Sequence, residues 1–310
     1  MLNRRTFIKT TATSSALFAL GSFPFESFAG PKQTKLTILH TNDVHSRLEP
    51  FAMDGSKYEG QGGVAYRAAL IEQIRSEEEH VLLLDAGDIF QGTPYFNLYK
   101  GEPEMKAMSM MKYDAVTMGN HDFDAGVEGF AHQLPHANFP VLVANYEFNG
   151  TALEGKTKPY TIIKKAGLKI GIFGLGIQLK GLVPDESYGK TIYFEPIQIA
   201  KSVSEKLKKH EHCDLVICLS HLGYQYDFNK ISDLILAKET EYIDVIIGGH
   251  THTFLDQPTI LKNKKGKEVL INQVGWAGLR LGRLDFIFDD KKSSNLLQSQ
   301  SVIIGKQTND

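Results

Sequence analysis

The chain has 310 residues, with 34 lysines and arginines against 36 aspartates and glutamates, for a net charge of −2. That balance removes the electrostatic case for nucleic-acid binding. With 42% hydrophobic residues, a chain of this length can bury a large core.

Residues 1–29 have the layout of an export signal. Arg4-Arg5 precede Thr6-Phe7-Ile8-Lys9, then comes the apolar stretch Ala16-Leu17-Phe18-Ala19-Leu20, and Ser27-Phe28-Ala29 offers small residues at a cleavage point. The paired arginines resemble a twin-arginine signal, although Asn3 stands where that pattern usually has Ser or Thr. The apolar core is far shorter than the ~20 residues a membrane span needs. Cleavage after Ala29 would leave residues 30–310 as the mature domain and would remove three basic residues and one acidic one, making the remainder more acidic.

Five apolar runs of strand length follow, and each ends in a polar cluster. Leu36–Leu39 leads to Asp43-Val44-His45, Val81–Leu84 to Asp85-Ala86-Gly87-Asp88, and Ala115–Met118 to Gly119-Asn120-His121-Asp122. Leu215–Leu219 leads to Ser220-His221, and Val245–Ile247 to Gly248-Gly249-His250-Thr251-His252. Helical spacing lies between them, at Val64, Ala68, Ile71 and Ile74 after Gly62-Gly63. It recurs at Ile197, Ala200, Val203 and Leu207 after Pro196, a residue suited to a first turn. Hairpins are expected for 160–163 with 169–173 and for 259–261 with 269–271. The polar last fifteen residues hold a short apolar run, 302–304, that would close a strand or fray. Cys213 and Cys218 bracket an extended run, so their Cα atoms should stand roughly 16 Å apart. A disulfide tolerates about 7 Å at most, so both read as buried free thiols. Alternating strands and helices with added hairpins predict a mixed-sheet α/β sandwich.

In open α/β sheets, ligands bind at the carboxyl ends of strands. Five such ends bring Asp43, His45, Asp88, Asn120, His121, His221, His250 and His252 to one place. Carboxylates, imidazoles and an amide without thiolate suit borderline divalent ions: Mn, Zn or Fe. A set this size is too large for one ion and sufficient for two if one carboxylate bridges. Six other histidines, His40, His80, His132, His136, His210 and His212, lack a ligand-like context, and His40 would pack beneath the first loop.

The order and wording of these motifs resemble the calcineurin-like metallophosphoesterases, and more narrowly the catalytic domain of the bacterial 5′-nucleotidase and UDP-sugar hydrolase family. Carrying the resemblance are Thr41-Asn42-Asp43-Val44-His45, Asp85-Ala86-Gly87-Asp88 with Gln91-Gly92-Thr93-Pro94, Gly119-Asn120-His121-Asp122-Phe123-Asp124, Ser220-His221-Leu222-Gly223 and Gly248-Gly249-His250-Thr251-His252. It spans roughly residues 35 to 290.

The resemblance implies a sandwich of two mixed β-sheets flanked by helices. It also implies two divalent metal ions, one held by Asp43, His45, Asp88 and His252 and the other by Asp88, Asn120, His221 and His250. A hydroxide bridging the ions would attack a phosphate ester, with His121 as general acid oriented by Asp124 and with Asn120 also touching phosphate. His121 could instead be a supporting residue, and Asp124 could cap the helix that follows it. The implied substrate is a nucleotide or another phosphate ester; cyclic nucleotides, UDP-sugars and sulfur esters are the alternatives. Two-domain members carry a C-terminal nucleoside-binding domain, which raises a separate nucleoside-binding chain as a partner. Tyr95, Phe96 and Tyr224 are aromatic residues that could flank the substrate or pack in the core.

Overall fold

The expected runs form strands whose two faces are both covered. A computed structural model describes residues 33–305, so the expected export signal lies outside the described residues. The strands are β1 (Thr34–Thr41), β2 (Val81–Asp85), β3 (Ala115–Val116), β4 (Tyr146–Glu147), β5 (Tyr160–Lys165), β6 (Leu168–Leu175), β7 (Ile192–Tyr193), β8 (Leu215–Ser220), β9 (Val245–Gly248), β10 (Thr259–Lys262), β11 (Glu268–Asn272), β12 (Arg280–Phe288) and β13 (Ser294–Ile303).

Side chains alternate along a strand with a period of two, and the cores divide accordingly. Leu36, Ile38, Leu82 and Leu84 join Leu215, Ile217, Val245 and Ile247 in one buried cluster between the sheets. Leu39 and Leu83 turn the other way, onto the helices Val64–Glu77 and Glu102–Met110. Val216, Cys218 and Ile246 pack under the helices Pro196–Glu205 and Asp233–Glu239. Both cysteines are buried and unpaired.

One sheet has the order β13-β12-β1-β2-β3 and the other β10-β11-β9-β8-β6-β5, with β4 and β7 forming a small separate ribbon. Parallel pairing runs through β1, β2 and β3 and through β6, β8, β9 and β11, while β12, β13, β5 and β10 are antiparallel. The architecture is therefore a mixed α/β sandwich with helices outside both sheets. Both expected hairpins are present as β5–β6 and β10–β11. Among the described residues no helix is long and apolar enough to cross a membrane.

Two elements differ from the expectation. The third run pairs over only two residues, because Thr117 turns its hydroxyl to the Leu142 carbonyl at 2.8 Å and the chain leaves the sheet. The C-terminal strand runs for ten residues rather than three. Its backbone pairs along the whole of β12 while half of its residues stay exposed and none is buried, so apolar patterning gives little sign of it. Gly63 starts the helix Val64–Glu77 at φ 88°, a left-handed value that glycine takes without strain.

Candidate metal centre

The carboxyl ends of β1, β2, β3, β8 and β9 carry the predicted side chains, and tight backbone turns aim them. Asp43 (φ 50°), His45 (47°), Asp88 (56°), His250 (73°) and His252 (52°) all occupy the left-handed region. Such residues are uncommon outside glycine and cost on the order of 1–3 kcal/mol each unless the surroundings hold them. Backbone bonds do hold them: Asp43 N–H donates to the Gly87 carbonyl at 2.9 Å, and His45 N–H to that of Asp88 at 3.1 Å. Gly119 is fixed by close approach, since a Cβ there would lie 2.1 Å from Asp88 Oδ1.

The loops assemble two triads, Asp43 with His45 and His252, and Asp88 with His221 and His250. In each triad the three donor atoms lie within 4.8 Å of one another. His250 and His252, two residues apart, are thus divided between the triads.

The carboxylates stand between them. Asp43 Oδ1 is 3.4 Å from His252 Nε2 and 3.9 Å from His221 Nε2. Asp88 Oδ2 is 3.1 Å from His221 Nε2 and 3.9 Å from His45 Nε2. Their other oxygens are occupied. Asp43 Oδ2 accepts from Asn42 Nδ2 at 2.6 Å and from the His250 N–H at 3.0 Å, and Asp88 Oδ1 accepts from the His121 N–H at 2.8 Å.

The ring tautomers follow from what faces them. His221 Nδ1 lies 2.7 Å from the Ala86 carbonyl, which can only accept, so Nδ1 carries the proton. In the neutral ring, Nε2 is then a lone pair, buried without a hydrogen-bond partner and aimed at two carboxylates. His45 and His252 likewise turn their Nε2 atoms to within 3.0 Å of each other. Lone pairs converging on carboxylate oxygens repel unless a cation lies among them. The donor set, imidazole and carboxylate with no thiolate, fits borderline divalent ions.

With no cation among these groups, a proton on His221 relieves the same crowding. Burial alone would lower the His221 pKa, but the Asp88 carboxylate overrides it and raises it to about 10. Burial would raise Asp88, yet His221 holds it well below the usual carboxylate range. Burial, with His221 beside it, lowers His250 to about 3, and burial lowers His45.

Beside the triads, His121 Nδ1 lies 2.9 Å from Asp124 Oδ2, and that hydrogen bond raises the His121 pKa. The following helix, Gly126–Gln133, has Ala125 at its N-cap position and no side-chain cap bond, so Asp124 does not cap it. Asn120 Oδ1 lies 2.8 Å from His250 Nδ1, at the edge of the inner triad.

Sequence reasoning passed over several residues. Asp122 accepts backbone N–H bonds from Asp88, Ile89, Phe90 and Gly119 at 2.8–3.1 Å, tying the second and third loops together. Burial and the Asp88 charge push its pKa up to about 7, against those four donors. Its place inside the Gly-Asn-His-Asp motif was the one available signal. Trp276 stacks on the His252 ring at 5.8 Å and 7°, and nothing local in the sequence marks it.

A cavity of about 180 Å³ opens beside the outer triad, lined by His45, His121, His252, Arg47, Gln91 and Trp276 among others. The expected aromatics do not line it. Phe96 is in the core, Tyr95 donates to Glu49 at 3.0 Å, and Tyr224 meets the Thr259 hydroxyl at 2.9 Å. His40 is fully buried in β1, its pKa lowered by burial to about 3, with Nε2 3.1 Å from Asn272 Nδ2.

Residues 36–254 match the calcineurin-like phosphoesterase family. The chain is 35% identical over 298 residues to a snake venom 5′-nucleotidase of Crotalus adamanteus, covering 88% of this chain and 48% of that protein. The 5′-nucleotidase precursor of Thermus thermophilus superposes with a TM-score of 0.80 at 33% identity, over 87% of this chain and 55% of that one. The Haemophilus influenzae NAD nucleotidase superposes with a TM-score of 0.78 at 29% identity, over 88% and 51% respectively. The chain thus spans about half the length of the curated relatives it matches.

Proposed function

This chain belongs to the calcineurin-like phosphoesterase family, and we propose that it is an exported, two-metal phosphomonoesterase acting on nucleotides. The adjacency of the two triads to the His121–Asp124 pair supports this reading above all else. Asp43, His45 and His252 would hold one divalent cation and Asp88, His221, His250 and Asn120 the other, with Asp88 shared. When bound, such a pair acidifies a water molecule and neutralises phosphoryl oxygens.

The chain's own residues supply the rest. Asp124 fixes His121 with Nδ1 engaged, which leaves Nε2 for the cavity side. The hydrogen bond to Asp124 raises the ring's pKa and so favours the protonated form, which would give its proton to the departing oxygen. Asn120, which lies beside the inner triad, would touch a phosphoryl oxygen. The nucleotide substrate is suggested by the 5′-nucleotidases among the relatives, and export by Arg4-Arg5 and the apolar stretch after them.

The experiment is metal analysis and hydrolysis of 5′-nucleotides, cyclic nucleotides, UDP-glucose and p-nitrophenyl phosphate by the protein and its His121→Ala variant. Two bound cations, turnover of 5′-nucleotides and a loss of about 10²–10⁴-fold in the variant at unchanged metal content are expected. A fully metallated protein that hydrolyses nothing would sink the proposal.

A further inference from the structure

The cavity beside the outer triad contains a cation that the reaction described so far does not use. Arg47 lines it together with His45, His121, His252 and Trp276, whereas Asp88, His221 and His250 do not. Among the described residues Arg47 makes no ion pair and no side-chain hydrogen bond, and its Nε is buried without a partner. Arg75, Arg280 and Arg283, by contrast, donate to carbonyls or carboxylates.

Arg47 is nevertheless held in place. Its guanidinium carbon sits 4.2 Å from the centre of the Phe51 ring, Phe51 meets Trp276 edge-on at 6.1 Å, and Trp276 stacks on His252. A wall of flat groups thus runs from a triad histidine out to an unpaired guanidinium. Five N–H donors in a fixed fork match the oxygens of an anion, and the buried Nε–H left without a partner is costly.

Resting on the phosphoesterase reading above, we propose that Arg47 anchors a negatively charged group carried by the leaving group of the substrate. The cavity adjoins His121, which would protonate the departing oxygen, and no inner-triad residue lines it, which puts Arg47 on the leaving-group side. As the phosphorus–oxygen bond breaks, the proton of His121 passes to the leaving oxygen and Arg47 keeps its own protons. Esters whose departing half bears a phosphoryl or carboxyl group close to the scissile oxygen are then bound better than esters of neutral alcohols.

Trp276 is the single tryptophan of the chain and lines the same cavity, so its fluorescence reports occupancy directly. The test titrates zinc-loaded full-length protein with methylphosphonate and with phosphonoacetate, two non-hydrolysable probes that differ by one carboxylate. The wild type should bind phosphonoacetate about 10-fold or more tighter, as one charge-assisted hydrogen-bond pair implies. Arg47→Gln should lose that preference while still binding methylphosphonate, and Arg47→Lys should keep part of it because the charge remains.

Equal binding of the two probes by the wild type, or no saturable binding of either, overturns the proposal. So does an equal weakening of both probes in Arg47→Gln, which would put the guanidinium on the phosphoryl group itself. Parallel assays with p-nitrophenyl phosphate separate the two readings. A preference for phosphonoacetate without any hydrolysis upholds the anion anchor and removes the esterase.

Discussion

The two triads are built from the same residue types but sit in different surroundings. In the inner one His221 is fully buried, its Nδ1 is pinned by a backbone carbonyl, and Asp88 is almost completely covered. In the outer one the His252 side chain is 40% exposed and is steadied by an indole rather than by a backbone carbonyl. Backbone bonds hold parts of both halves, and the difference lies at His252, which with His45 lines a cavity that no inner-triad residue lines. If the triads hold cations as proposed, the inner one would keep its cation and the outer one would exchange it and meet the substrate.

Asp88→Asn tests the shared part of the design and should have the largest effect. Because Asp88 Oδ2 lies near histidines of both triads, both cations should be weakened and activity should fall by more than the roughly 10–100-fold expected for loss of an outer support. Metal analysis after gel filtration checks this; loss of a single cation would show that the triads are independent.

Asn42→Ala removes the 2.6 Å donor to Asp43 Oδ2 and should lower affinity at the outer triad by about 10–100-fold. Competition with a chelator should show the second cation leaving early while the inner one stays. Early loss from both halves would contradict the asymmetry.

Asp124→Asn addresses the open half by pH. The Asp124 hydrogen bond is the leading cause of the raised His121 pKa. Activity that needs protonated His121 falls as pH rises through that pKa. Without the carboxylate the pKa drops, so the alkaline limb of the rate profile should move to lower pH. An unmoved limb would assign it to another group.

Trp276→Ala should have the smallest effect on chemistry, a few-fold change by loss of the stack on His252, a contact in the range of about 0.5–1.5 kcal/mol. Calorimetric titration with zinc should detect it at the outer triad alone.

Much of the frame was legible in the sequence because it depends on short-range pattern. A strand buried on both faces must be apolar throughout, and the sudden polar cluster at its end marks where the chain leaves the sheet. That is how the five loops bearing Asp43, Asp88, Asn120, His221 and His250 could be found. β13 was illegible beyond three residues because backbone pairing to β12 sustains it while its polar side chains face solvent. Arg67, buried on the inner face of the helix Val64–Glu77 among apolar neighbours, breaks the binary pattern in the same way.

The sequence by itself determined the inventory: which strands are central, which side chains stand at their ends, and which chemistry that mixture of imidazole and carboxylate can support. The partition of those groups, available from the sequence only through its resemblance to a family, is set physically by tertiary structure. Left-handed turns at His250 and His252 send neighbours in the chain to different triads, Asp122 joins two loops by accepting four backbone bonds, and Trp276 arrives from a distant loop to cover His252. Arg47 owes its unpaired charge to the same cause. Whether a guanidinium finds a carboxylate depends on what the folded chain brings within reach of it, and residue spacing along the sequence carries no record of that.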